Sequence, residues 1–172
     1  MRYWLMKSEP NCFSIDDLER SPDGIAAWDG VRNFQARNLL RDEIKAGDGV
    51  LFYHSSCAVP AIVGLAEVVR GGYPDHTAQD PRSAHYDPKA TPARPIWYMV
   101  DVAFRARLPQ PLGRDHLRAH PELCGMLVLQ RGSRLSVQPV TAAEWQSVLA
   151  LAGIADPLPA VAAGRASTGA GS

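Results

Sequence analysis

Cysteine is scarce in this chain, and what there is of it is irregular. Cys12, Cys57 and Cys124 form an odd, scattered set with no C-x-x-C spacing. A disulfide framework or a thiolate metal site needs paired or regularly spaced cysteines, so neither is expected. The thiols read as reduced, small buried hydrophobes in a reducing, cytoplasmic setting. Excess charge of either sign is also missing, because 18 basic residues balance 18 acidic ones. A strongly salt-driven, non-specific polyanion binder needs a cationic surplus and is excluded, although a local basic patch is not. No apolar run reaches membrane-spanning length, so no membrane partner is expected. The short run Tyr3 to Met6 meets Lys7, Ser8, Glu9 and Pro10 at once, which fits a first strand and not a secretion signal. G-x-G-x-x-G, Walker and G-x-S-x-G motifs are absent, and so are internal repeats.

What remains is enough for one compact domain. The chain has 172 residues, 46% of them hydrophobic, which suffices for a core without staples. Arg2 to Lys7 is strand-like. Ser14-Ile15-Asp16-Asp17 opens a short helix in near capping-box form, ending before Pro22. Val31 to Ile44 carries helical periodicity. Val50 to Tyr53, Ala61 to Val69 and Ile96 to Leu108 are β-rich, and Arg70 to Pro95 is a long Gly-, Pro-, Asp- and His-rich loop. Pro111 to His120 reads as a short helix and Ser133 to Gln138 as a strand. Thr141-Ala142-Ala143-Glu144 is a capping box for a helix through Leu151, with Gly153 as its stop. Residues 154–172 are mostly Ala, Pro, Gly, Ser and Thr and are expected to form a disordered tail outside a 1–153 domain. Strands interspersed with short helices lack a regular βαβ alternation. The expected class is α+β, a small mixed β-barrel with peripheral helices.

Chemistry concentrates in Trp28-Asp29-Gly30-Val31-Arg32-Asn33-Phe34-Gln35-Ala36-Arg37-Asn38. An aromatic ring, a turn glycine, two cations and two amides share one loop and the start of one helix. Such a mixture suits a pocket for a flat, polar ring. Trp28 stacks, the amides read an edge, and the arginines meet phosphate or a π-face. Trp28 is equally at home in a core, but Asp29 and Gly30 place it on a turn. Asn33 serves as a helix cap in the plainer reading.

This segment resembles the EVE domain, a branch of the PUA-like superfamily. So do Tyr3-Trp4-Leu5-Met6-Lys7-Ser8-Glu9-Pro10, Val50 to Ser55, Ile62 to Val68, and Arg131 to Val140. The five motifs stand in register from about Met1 to Leu151. The resemblance implies a PUA-like mixed β pseudo-barrel. It also implies a small, monomeric reader of modified nucleobases, a modified cytosine or adenine in DNA or RNA, without catalytic residues, metal or cofactor. Trp28, Asn33, Tyr53, Ser55 and Ser8 are then the base-pocket candidates. Lys7, Arg32, Arg131, Arg134 and Ser136 are the backbone-contact candidates. Alternation along the third strand sends Tyr53 and Ser55 together toward the expected barrel mouth, leaving His54 on the other face. A rival reading is a metal-assisted hydrolase or nuclease using His54 and the loop groups Asp75, His76, Asp80, His85 and Asp87. A third is a non-catalytic interaction adaptor.

Overall fold

A computed structural model describes residues 1–158 of the chain. Six strands form one sheet in the order β2-β5-β4-β3-β1-β6. They are β1 (Tyr3–Ser8), β2 (Ile25–Trp28), β3 (Gly49–His54), β4 (Ala61–Pro74), β5 (Tyr98–Gly113) and β6 (Val137–Val140). Among the described residues only the β1–β3 pair is parallel. The class is α+β, and among the described residues no ladder joins β2 to β6, so the sheet stays open. Repeated register shifts between the long strands β4 and β5 bend it.

Both faces of the sheet are covered. Leu5, Leu51 and Tyr53 point into one core with Trp145, and Trp4, Met6, Val50 and Phe52 point into the other with Trp28. That alternation follows from the two-residue period of a strand. Helices α1 (Ile15–Arg20) and α2 (Phe34–Asp42) contribute to the Trp28 core, whereas α3 (Arg114–Arg118) and α4 (Ala142–Ala152) contribute to the Trp145 core. Ser14 and Thr141 close complete capping boxes at α1 and α4, and Gly153 ends α4 in the left-handed region.

Several boundaries differ from expectation for identifiable reasons. Strand β2 is too short and too rich in alanine to give a strand signal, and Trp28 is its last residue instead of a turn residue. Asn33 caps α2 by accepting from the Ala36 N–H at 3.0 Å, so the helix starts at Phe34 and not at Val31. Strand β4 runs on to Pro74, shortening the long loop, in which His76–Gln79 form a 3₁₀ turn. Strand β5 continues to Gly113 through Pro109 and Pro111, leaving α3 only five residues. Strand β6 begins four residues later than Ser133.

The expected tail also begins later than residue 154. Trp145 Nε1 donates to Asp156 at 3.0 Å, and Leu158 is buried in the Trp145 core. Residues 154–158 are therefore part of the packed domain, and the rest of the expected tail, 159–172, lies outside the described residues. The three cysteines are free thiols as expected, but Cys12 and Cys124 are exposed rather than buried.

Candidate nucleic-acid interface

A cavity of about 590 Å³ opens where the end of β1, the end of β2 and the start of β6 meet. Ladder geometry brings them together. The Lys7 N–H at the end of β1 donates to Ser136 O, just before β6, at 2.8 Å. The segment Asp29 to Arg32 follows β2 and closes one side, and His85 from the long loop reaches in from another.

The deep wall is aromatic. Trp28 and Phe52 meet edge-to-face at a centroid distance of 5.3 Å, and Phe13 meets Trp28 edge-to-face at 6.4 Å. Trp28 is only 7% exposed, so it offers the cavity a limited strip of ring, supplemented by half-buried Phe13. Such rings gain from contact with another flat π-system.

The side wall is held by one arginine. The Arg32 guanidinium has five N–H groups, and all five have partners. Nη1 donates to Asp75 at 2.9 Å and to Val31 O at 3.0 Å. Nη2 donates to Thr77 Oγ1 at 3.3 Å and to His85 O at 2.8 Å, and Nε to His85 O at 3.1 Å. Asp75 is fully buried. It also accepts from the Gly30 N–H and from both Thr77 donors. Burial alone pushes its carboxyl up, but the bonds from Thr77, Gly30 and Arg32 outweigh that and hold it below the usual range. Arg32 is thus a clip between the 29–33 segment and the long loop, with no N–H left for a phosphate. Gly30 lies inside the clip at φ +77°, and a β-carbon there would come within 2.6 Å of the His85 ring. The positive φ demands glycine, whereas the exposed His85 ring could swing aside for a β-carbon.

The expected site residues divide sharply. The cavity brings together Trp28, Ser8, Lys7, Arg32 and Ser136. Ser8 Oγ is already engaged, donating to Phe13 O at 2.5 Å. Lys7 Nζ lies 3.5 Å from Ser133 O, and burial, with Arg114 nearby, lowers its pKa. Asn33 and Arg134 line a neighbouring cleft of about 380 Å³ together with Ser133 and Leu135. Arg131 is exposed on the same turn.

Tyr53 and Ser55 lie elsewhere. Tyr53 is 2% exposed in the Trp145 core, on the sheet face opposite Trp28. Among the described residues its hydroxyl has no hydrogen-bond partner, although Arg114 is near enough to offset part of the upward push that burial gives its pKa. The cavity opened on the face of Phe52, so alternation directed Tyr53 away from it. Ser55 follows the strand end, its N–H donating to Ser8 O at 3.0 Å. His54 Nε2 accepts from the Ile15 N–H at 3.1 Å, a bond that anchors α1.

Asp29 and His85 line the cavity but were not singled out for it in the sequence. Asp29 was legible only as a turn residue, and His85 only as one of several loop groups. Phe13 carried no signal at all, since nothing local links it to Trp28.

A bent, open α+β sheet with a ring-sized aromatic cavity at one end defines a small PUA-like domain. The chain belongs to the EVE domain family, whose model matches residues 2–151. It is similar to thymocyte nuclear protein 1 of Mus musculus, at 44% identity over 87% of this chain and 73% of that protein. The corresponding Homo sapiens protein is 43% identical over the same shares. Among solved structures, a Pseudomonas syringae protein is 49% identical at a TM-score of 0.81, covering 87% of this chain and 99% of that one. The human THYN1 protein in complex with DNA containing 5-methylcytosine is 39% identical at a TM-score of 0.83, covering 91% and 100%.

Proposed function

We propose that this protein is a non-catalytic reader of modified nucleobases, binding a modified cytosine or adenine in DNA or RNA. The observation that carries the reading is the aromatic cavity in a chain so similar to a protein solved with 5-methylcytosine DNA. Its volume lies within the range of roughly 300–1,000 Å³ usual for ligand pockets. In this reading an unpaired base enters the cavity and packs on Trp28 and Phe13. The strand then crosses the adjoining cleft past Asn33, where the exposed cations Arg131 and Arg134 meet its phosphates. Lys7 and Ser136 supply polar contacts at the cavity rim. The protein acts as a monomer, and free thiols suit a cytoplasmic site of action.

The hydrolase alternative finds less support. His54 is engaged with Ile15, Asp75 with the Arg32 clip, and Asp87 with Trp97 Nε1 at 2.8 Å. Among the described residues no three His, Cys, Asp or Glu side chains cluster as metal ligands.

The test is a titration with a short single-stranded oligonucleotide carrying one 5-methylcytosine, alongside its unmodified counterpart. Tighter binding of the modified strand, with no cleavage in the presence of divalent metal, is expected. Equal affinity for both strands, or strand cleavage, would overturn the reading.

A further inference from the structure

Most polar groups around the cavity are committed to the fold, and the uncommitted ones identify what a ligand must present. Ser8, Arg32 and Asp75 are engaged as described above. Asp29, directly after the stacking residue Trp28, lines the cavity, and no hydrogen bond or ion pair to its carboxyl is formed among the described residues. Glu9, which accepts from the Cys12 thiol at 3.8 Å, is a second carboxylate on the rim. A cavity whose wall carries the unpartnered Asp29 carboxyl, with Glu9 close by, repels phosphate and disfavours carbonyl-edged ligands, and it welcomes hydrogen-bond donors.

Resting on the nucleobase reading, we propose that Asp29 is the specificity residue. It reads the edge that cytosine and adenine share, a basic ring nitrogen beside an amino group, through a proton held between carboxyl and ring nitrogen. The amino group donates to one carboxyl oxygen. The other oxygen and the ring nitrogen hold one proton between them, taken from solvent on binding, so every polar atom on that edge is matched. A thymine- or uracil-type ring already carries N–H at that position. The added proton would have to sit against a carbonyl oxygen, a far weaker base. The 5-methyl group lies away from this edge and is left to the aromatic wall.

The surroundings of Asp29 favour proton uptake. Its outer side meets solvent, yet desolvation against the wall and the charge of buried Asp75 raise its carboxyl above the ordinary range. His85, His76 and Arg32 oppose that shift without cancelling it. Lys7 and Glu9 are the other charged groups on the cavity wall. Carboxyl and ring nitrogen titrate as one coupled pair, whichever carries the proton.

The experiment measures affinity for the oligonucleotide with one 5-methylcytosine by calorimetry between about pH 5.5 and 7.5. The wild type, Asp29→Asn, Asp29→Ala and His85→Gln are compared. One linked proton predicts that wild-type affinity falls roughly tenfold per pH unit in the upper part of the range. Asn carries the donor and acceptor of a neutral carboxyl, so Asp29→Asn should bind well with a nearly flat pH profile. Asp29→Ala should bind weakly throughout and lose its preference over a uracil-containing strand. His85→Gln should keep the wild-type slope. A flat wild-type profile, or an Asp29→Ala protein that binds and discriminates like wild type, would overturn the assignment while leaving the base reading intact. A wild type that fails to bind the oligonucleotide at any pH would sink the base reading and this assignment together.

Discussion

Removing the Arg32 side chain should cost the protein about 3 kcal/mol of stability, and the figure follows from what the clip holds. Asp75 is fully buried, and Arg32 keeps 23% of its side chain exposed. Breaking a buried pair by deleting one partner costs roughly 3–5 kcal/mol, because the other charge is stranded. Asp75 would still accept from Gly30 and Thr77, and water can reach the partly exposed Arg32 position, so the lower end applies. Lysine at this position keeps the charge but cannot span Asp75, Thr77 and His85 O together, so Arg32→Lys should recover only part of the loss. The assay is urea unfolding at neutral pH, reading the midpoint at constant slope. Sign and pH are linked. Asp75 is depressed in the folded state, so its contribution is complete above the unfolded carboxylate value of about 3.9 and is lost as pH falls through the lower folded value. The gap between wild type and Arg32→Ala should therefore close in acid. A loss below about 1 kcal/mol at neutral pH would mean that the clip is hydrated like an ordinary surface pair, and the reasoning would fail.

Truncation after residue 153 should lower the melting temperature relative to truncation after residue 158. It exposes Leu158's core site and strands the Trp145 indole N–H, together worth about 2–4 kcal/mol; equal melting would show that the segment packs without stabilising. His54 must stay neutral to accept from Ile15, and burial lowers its pKa. Stability should therefore be full above the unfolded histidine value of about 6.5 and decline as pH falls through the folded one, with a shallower decline in His54→Asn by thermal melts at several pH values. Arg134→Ala should reduce the salt dependence of oligonucleotide binding by about one unit and weaken modified and unmodified strands alike; a changed preference between strands would move Arg134 from the backbone to the base.

The fold was legible wherever the local signal was strong. Capping boxes at Ser14 and Thr141, the Gly153 stop and the β-rich runs of β1, β3 and β4 all follow from near neighbours in sequence. Strand β2 was not, because Ile25-Ala26-Ala27-Trp28 owes its pairing to β5, where Ile25 meets Ala103, 78 residues away. The same limit governs the site. Trp28 announced itself by its company, but the face on which the cavity opens is a tertiary fact, and one wrong choice of face carried Tyr53 into the opposite core. Arg32 was read as a phosphate contact beside the pocket. Its partners, up to 53 residues distant, were invisible, and they turn it from a ligand contact into a fastener. Asp29 went unnoticed as a reader because a carboxylate after a tryptophan looks like turn chemistry until its lack of partners is seen.

The cavity's walls are drawn from both ends of the chain, with Lys7 and Ser133 in contact across 126 positions. No fragment or early folding intermediate can hold such a pocket, since its last wall arrives only when β6 docks on β1. Occupancy is therefore linked to complete folding, because ligand binds the assembled pocket and no part of it. A ligand at a hundred times its dissociation constant should raise global stability by about 2.7 kcal/mol and slow the opening of every strand together, distant β4 and β5 included.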